Sequence, residues 1–301
     1  MYNRVDALEQ HFPPVALPLS NYRVPLSVIV PVKNDAKNLA RCLAPLQNWA
    51  EEVIVVDSHS VDETVDVARR FGVTVLQFDY RDGWPKKRQS VLVTHKFRTG
   101  WVLLLDADEI LLGPVKREIE TAIRTDLYDG YWLQFQIRFL GRRLRFGDTA
   151  LWKLALFRAG RGCYEKRLSE QDASMSDIEV HEHIVVLGKV GRLKNPVCHE
   201  NVNDLHRYVT KHNEYSNWEA KVHLQGAPTE IQPSAWGTQA QRRRWLKRVF
   251  LRVPGSPLAL FFYLYLFRLG ILDGVPGLIY CVFRGIQIFH VKAKMYEARL
   301  K

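Results

Sequence analysis

The chain has 301 residues, 47% of them hydrophobic and 25% charged, with four cysteines and a formal charge of +11. Such values exclude a disordered or disulfide-built protein and allow one large domain or two intimate ones. The charge is polarised, because 241–301 carry twelve Lys or Arg against two acids while the first 240 residues are nearly neutral. Uniform basicity would point to nucleic acid, whereas cations confined to a segment with long apolar runs point to an anionic membrane surface. Cys42, Cys163, Cys198 and Cys281 are widely spaced without a Cys-x-x-Cys pair, which fits a reducing cytosol. Residues 1–23 contain Asp6 and Glu9 and no continuous apolar stretch, so they read as an N-terminal extension and not as a secretory signal.

Leu26 to Val32 reads as a buried strand, followed by Leu39, Cys42, Leu43 and Leu46 at helical spacing. Val53 to Asp57 is a second strand, and Ser60-Val61-Asp62-Glu63 offers a capping box for a helix that runs to about Phe71 and stops at Gly72. Val73 to Phe78 makes a third strand, 86–97 a helix, and Trp101 to Leu105 a fourth strand. This βαβαβαβ order predicts an α/β fold with a doubly wound, mostly parallel sheet and ligands at the strand C-termini.

Pro114 can open a further helix, Tyr131 to Ile137 alternates like a half-exposed strand, and 138–200 are rich in Arg, Gly and short β-like runs. Helical composition returns over 201–225, and the turn-rich stretch Gly226 to Gly237 marks a boundary. Beyond it, Leu258 to Phe267 is apolar but short of the roughly 20 residues a membrane span needs. Gly274, Pro276 and Gly277 divide the remaining apolar sequence, so Leu278 to Phe289 forms a second piece. Basic residues flank both pieces, which predicts two amphipathic helices lying in a membrane interface. A core helix pair packed on the preceding domain is the alternative.

Four strand-end loops carry polar groups at one sheet edge. The first, Pro31-Val32-Lys33-Asn34-Asp35, lacks both Gly-x-Gly-x-x-Gly and Gly-Lys-Ser/Thr, which argues against dehydrogenases and ATPases. Asp57 ends the second strand, where a carboxylate accepts from a base N–H or a ribose hydroxyl, or else caps the next helix. Lys86, Lys87, Arg88 and Gln89 follow Gly83-Trp84-Pro85, which brings Lys87 or Arg88 toward diphosphate oxygens unless the run is simply solvated. Asp106-Ala107-Asp108 closes the fourth strand. Two carboxylates delivered side by side by a buried strand repel unless a cation neutralises them, which suits Mg²⁺ or Mn²⁺ holding a diphosphate.

Leu26–Asn34, Val53–Thr64 and the Leu-Leu-Leu-Asp-Ala-Asp-Glu of 103–109 together resemble the family 2 glycosyltransferases of GT-A fold. Val180-His181-Glu182, Pro196-Val197-Cys198-His199, Lys211–Ser216 and Leu269–Gly274 are similar, more narrowly, to the lipopolysaccharide-core β-glycosyltransferase group. The resemblance implies that Pro31 and Asn34 line the nucleotide pocket, that Asp57 contacts the base, and that Asp106 and Asp108 hold ribose and metal, Asp108 directly. It also implies inversion at the anomeric carbon. The Arg145–Trp152 stretch before Leu156-Phe157-Arg158 departs from the pattern of relatives, so acceptor identity is not implied.

Displacing a nucleoside diphosphate from an anomeric carbon requires a cation for the leaving group and a base for the acceptor hydroxyl. Glu182 is the candidate base, or else one more exposed acid in a strand that alternates into Ile184-Val185-Val186, and His199 is a candidate further metal ligand through a neutral imidazole. The His181/His183 pair has no third ligand at zinc spacing.

The expected organisation is an extension over 1–23, a nucleotide-sugar-binding subdomain over 24–125, an acceptor and catalytic subdomain over 126–225, and a basic membrane-associating tail over 226–301. The expected protein is a metal-dependent inverting glycosyltransferase of cell-envelope polysaccharide synthesis. It would take a UDP-sugar or related donor, a glycan or lipid-linked acceptor and no nucleic acid, at the cytoplasmic face of the plasma membrane. A polyprenyl-phosphate sugar synthase and a non-catalytic basic nucleic-acid-binding module are the alternatives.

Overall fold

The computed structural model describes residues 23–81, 83–168, 171–172, 174–179, 182–201, 204–225, 232–237 and 239–300. Most of the N-terminal extension, His181 of the histidine pair and positions 226–231 of the expected boundary lie outside the described residues.

The chain order is β1 (Val24–Val32), α1 (Ala36–Leu43), β2 (Ala50–Asp57), α2 (Thr64–Arg70), β3 (Thr74–Gln77), α3 (Lys87–Thr94), β4 (Trp101–Leu104), β5 (Glu109–Ile110) and α4 (Gly113–Thr125). There follow β6 (Gly130–Phe139), β7 (Arg142–Arg143), β8 (Ala150–Arg158), β9 (Gly162–Tyr164), β10 (Ile184–Val186), β11 (Val190–Arg192) and β12 (Val197–Glu200). The helices α5 (Leu205–Gln225), α6 (Gln239–Arg252), α7 (Ser256–Phe262) and α8 (Gly274–Leu300) complete the described chain, with a π turn at Tyr263–Phe267 and a 3₁₀ turn at Gly270–Asp273 between the last two.

The main sheet runs β3-β2-β1-β4-β8-β6-β12-β5. Its first four strands are parallel, as the βα alternation predicts. The run Val28-Ile29-Val30 is fully buried because helices cover both faces of this half. From β8 onward the sheet is mixed: β8 is antiparallel to both β4 and β6, while β12 runs parallel to β6 and antiparallel to β5. That arrangement carries residues near 199 back beside the end of β4.

Two local expectations fail for identifiable reasons. No capping box forms at Ser60 and Glu63, because the Ser60 hydroxyl donates to Asp57 and accepts the Asn34 N–H. Competition from these loop contacts moves the helix start to Thr64, whose N–H donates to the Asp62 carboxylate at 3.0 Å. In the tail, Gly274, Pro276 and Gly277 do not break a helix but open one that continues through Leu300, since proline is tolerated where the first-turn N–H groups have no intrahelical partner. A Cβ at Gly277 would lie 2.3 Å from the Gly270 carbonyl oxygen, so only glycine allows the preceding turn to close on this helix.

The tail is docked along the domain. Tyr280 and Phe283 surround Phe139 with ring centroids 5.8 and 6.5 Å away, and Ile288 and Val291 join Ala220 of α5 in one buried cluster. Some of its positive charge serves this docking: Arg244 pairs with Glu165, Lys247 with Glu219, and the Lys294 ammonium donates to the Asn213 carbonyl at 2.9 Å. The core-packing alternative therefore describes one face of the tail.

A buried polar knot ties β1, β2 and the end of α3. The Glu52 carboxylate accepts from the Ser27 hydroxyl at 2.5 Å and the Arg98 N–H at 3.2 Å, with His95 Nε2 at 3.1 Å. Burial alone would raise its pKa, yet these donors hold it below the usual glutamate value. A depressed native pKa stabilises the fold above the unfolded value of about 4.3 and is lost as pH falls through the native value. Glu52→Gln is accordingly expected to flatten the acid limb of a melting-temperature profile, and Glu52→Ala to cost about 1–3 kcal/mol at pH 7 by orphaning the donors.

Candidate active site

Several polar side chains gather at the C-terminal edge of β1, β2 and β4. Pro31 is buried beside β2, and Asn34 adopts the left-handed conformation (φ 50°) that asparagine accepts more readily than most residues. Its side chain accepts the Val61 N–H at 2.7 Å and its own N–H donates to Ser60 at 2.7 Å, so the first two loops form one wall. Asp57, fully buried at the end of β2, accepts the Ser60 N–H at 3.0 Å.

The cation run at 86–88 is not a solvated face: Lys86, Lys87 and Arg88 are 1%, 1% and 6% exposed. Lys87 Nζ donates to the Val32 carbonyl at 2.9 Å and to Asp177 at 3.0 Å, which places it at the end of β1. Burial, the larger influence, lowers its pKa against the pull of Asp177 and Asp57. Arg88 pairs with Asp106 and donates to the Glu179 carbonyl at 2.7 Å. The Glu179 carboxylate in turn accepts the N–H groups of Arg88 and Gln89 at 3.1 and 2.9 Å, supplying an anion to the N-terminus of α3.

The two acids after β4 have different surroundings. Asp106 is engaged by Arg88 and by Lys153 Nζ, the latter at 2.8 Å. Asp108 instead faces His199, whose Nδ1 lies 3.8 Å from its carboxylate and 3.3 Å from Glu109. Burial would lower the His199 pKa, but Asp108 and Glu109 raise it overall. Burial likewise pushes Glu109 up, and Lys153 and His199 more than reverse this.

Among the described residues no group of three or more His, Cys, Asp or Glu side chains is arranged to hold a metal ion. Asp108 and His199 nevertheless form a carboxylate and imidazole pair with Asp106 next to it. Mg²⁺ commonly keeps only one or two protein ligands and fills its shell with phosphate oxygens and water. The donor set fits an ion shared with a diphosphate.

Glu182 is closed to solvent and ion-paired at 3.2 Å to Lys86, the first of the three buried cations. Four participants escape a reading of the sequence. Glu109 adjoins the acidic triplet and is recoverable from that adjacency, and Lys153 sits in β8, where nothing in its local sequence marks it as a partner of Asp106. Asp177 and Glu179 lie in a segment without regular structure and acquire their role only when it packs against α3.

Residues 27–175 match the family model for Glycosyl transferase family 2. An uncharacterized glycosyltransferase of Rickettsia conorii is 29% identical over 204 residues, covering 65% of this chain and 69% of that one. The lipopolysaccharide core biosynthesis glycosyltransferase LpsC of Rhizobium meliloti is 25% identical over 286 residues, covering 91% of this chain and 93% of its own. The mannosyltransferase PcManGT of Pyrobaculum calidifontis, solved with GDP-Man and Mn²⁺, superposes with a TM-score of 0.51 at 16% identity, covering 96% of this chain and 92% of that chain. These matches remove the support for a non-catalytic module. Residues 27–175 match a glycosyl transferase family 2 domain on an α/β sheet of GT-A type, and the chain is a glycosyltransferase.

Proposed function

We propose that the chain transfers a sugar from a nucleotide-sugar donor, a UDP-sugar in first place, to a hydroxyl of a glycan or lipid-linked acceptor in cell-envelope polysaccharide synthesis. It would act at the cytoplasmic face of the plasma membrane with inversion of the anomeric centre. The observation that carries the reading is the meeting of Asp57, Lys87, Arg88, Asp106, Asp108 and His199 at one end of the parallel strands, the position where α/β sheets take their ligands. The similarity to LpsC over most of the chain supports the envelope role.

In this reading Pro31, Asn34 and Asp57 form the wall against which the nucleoside rests, and Asp106, oriented by Arg88 and Lys153, receives the ribose. Lys87 and Arg88 are the cations nearest the diphosphate. Asp108 and His199 would hold Mg²⁺ or Mn²⁺, which when bound stabilises charge on the departing diphosphate. The acceptor oxygen attacks the anomeric carbon as the bond to the diphosphate oxygen breaks, and the acceptor proton passes to a carboxylate base.

Glu182 is the proposed base, and its pairing with Lys86 must open for the acceptor hydroxyl to reach it. Glu214 of α5 is a second candidate on a specific observation: it is half-buried, and burial, then Asp177, raise its pKa toward the working range of a general base.

A nucleotide-sugar panel with Mn²⁺ or Mg²⁺ tests the reading through donor hydrolysis and transfer. Asp108→Ala is expected to lower kcat/KM by about 10²-fold or more and to abolish the metal-dependent part of UDP or GDP binding by calorimetry. Unchanged turnover would remove the metal assignment. For the base, Glu182→Gln should depress kcat by about 10²–10⁴-fold while donor affinity stays constant. If Glu182→Gln instead lowers only the melting temperature and Glu214→Gln takes the kcat loss, the role passes to Glu214.

A further inference from the structure

We propose that α8 and the turn before it lie flat in an anionic lipid leaflet, bare face down, while the opposite face of the same helix stays docked on the catalytic domain. The inference builds on the reading that the acceptor is presented at a membrane, and identifies the surface that meets it.

The helix carries two apolar stripes. Gly277, Tyr280, Cys281, Ile288 and Val291 are buried against the domain and the neighbouring turns. Val275, Leu278, Val282, Ile286, Phe289 and Tyr296 recur every three or four residues until the last step of seven, which is one line along a 3.6-residue helix. Their exposures run from 37% at Leu278 to 68% at Val275. A single exposed apolar residue needs no explanation, but a continuous line of them marks an interaction surface.

The line is widened by its neighbours. Leu258 and Phe261 of α7 face Val282, Ile286 and Phe289 across an apolar groove of about 860 Å³. At the turn, Phe267 is 78% and Leu272 53% exposed. The result is one greasy surface from the turn to the end of the helix.

Its charge selects the occupant. Of the two acids in 241–301, Asp273 is buried, so Glu297 is the one exposed negative charge there. Arg252, Arg268 and Arg299 are exposed in the same segment, Arg268 beside Asp148 at 3.4 Å, and Arg142 and Arg143 of β7 and Arg145 after them are exposed where the domain packs against it. Exposed cations around an apolar face complement an anionic leaflet and oppose a second copy of the same basic face.

Gly270–Leu300 is long and apolar enough to cross a bilayer, with mean hydropathy 1.3 and 33% of the window buried. Crossing is incompatible with the docking. Contacts to the domain begin at Tyr280 with Phe139 and continue to Lys294 with Asn213, about 21 Å along the helix axis at ~1.5 Å per residue. Such a helix lies along the domain, in the plane of the membrane surface.

The inserted turn also positions the acceptor side. The Asp273 carboxylate accepts the N–H groups of Arg145 and Phe146 at 3.0 and 2.9 Å, and the Gly147 N–H donates to the Arg268 carbonyl at 2.8 Å. The loop 145–147 is thereby held at a set height above the leaflet.

Flotation of the full chain with vesicles tests the proposal, using phosphatidylcholine alone and phosphatidylcholine with about a third phosphatidylglycerol, at low and high salt. The expected result is co-flotation with the anionic vesicles that weakens with salt. Ile286→Asp/Phe289→Asp should lower the bound fraction at least tenfold at an unchanged melting temperature, and Phe267→Asp, at a position outside both packed clusters, should lower it severalfold. Failure of the native chain to float with anionic vesicles, or equal flotation of the double variant, overturns the proposal. So does a salt-resistant dimer, seen by sedimentation velocity, that the double variant dissociates without any vesicle binding. Donor hydrolysis without lipid should be the same in native and variant chains. Its absence from the native chain would count against the proposed reaction and leave the flotation result standing.

Discussion

The donor edge depends on how a pair of neighbouring carboxylates is kept from repelling. Asp106 and Asp108 leave the same strand end, with Glu109 immediately after them. Arg88 and Lys153 neutralise Asp106, and Lys153 also reaches Glu109. With those charges satisfied from within the protein, Asp108 is left facing His199, at 3.8 Å. The two acids therefore differ electrostatically: Asp106 is held between two cations, whereas Asp108 faces an imidazole.

The same accounting explains why three consecutive cations can be buried. Lys86 pairs with Glu182, Lys87 with Asp177, and Arg88 with Asp106 and the Glu179 main chain. Isolated, each would carry a large desolvation cost, and only partners brought from another segment make the arrangement tolerable. The acids at 177–182 come from the segment that follows β9, so the parallel half of the sheet and that later segment share one charge network.

The parallel half of the sheet was legible because its strands, buried on both faces, read as continuous apolar runs punctuated by polar ends. The strand-end positions of Asp57, Asp106 and Asp108 are legible for the same reason, since a strand end in a βα alternation has a defined place. Lys153, Asp177 and Glu179 were not, because long-range packing against α3 and β4 alone confers their roles. Local rules failed where side chains had a competing partner: Ser60 caps nothing because Asp57 and Asn34 already occupy it. Gly277 looked like a break and is instead the point of closest approach between the turn and α8.

The tail shows how one helix can satisfy two solvents. Its docked stripe is short of polar atoms and is covered by aromatic rings and α5, so water is excluded there by protein. Its bare stripe is apolar as well, and its residues stay between 37% and 68% exposed. Burying only half of such a helix leaves a hydrophobic free energy unrealised in water, of the order of 25 cal/mol per Å² of apolar surface. The turn before this helix is bonded to the loop 145–147 through the Asp273 carboxylate and the Arg268 carbonyl, so on the proposal that a leaflet covers the bare stripe, that loop and the sheet behind it would be held at the interface.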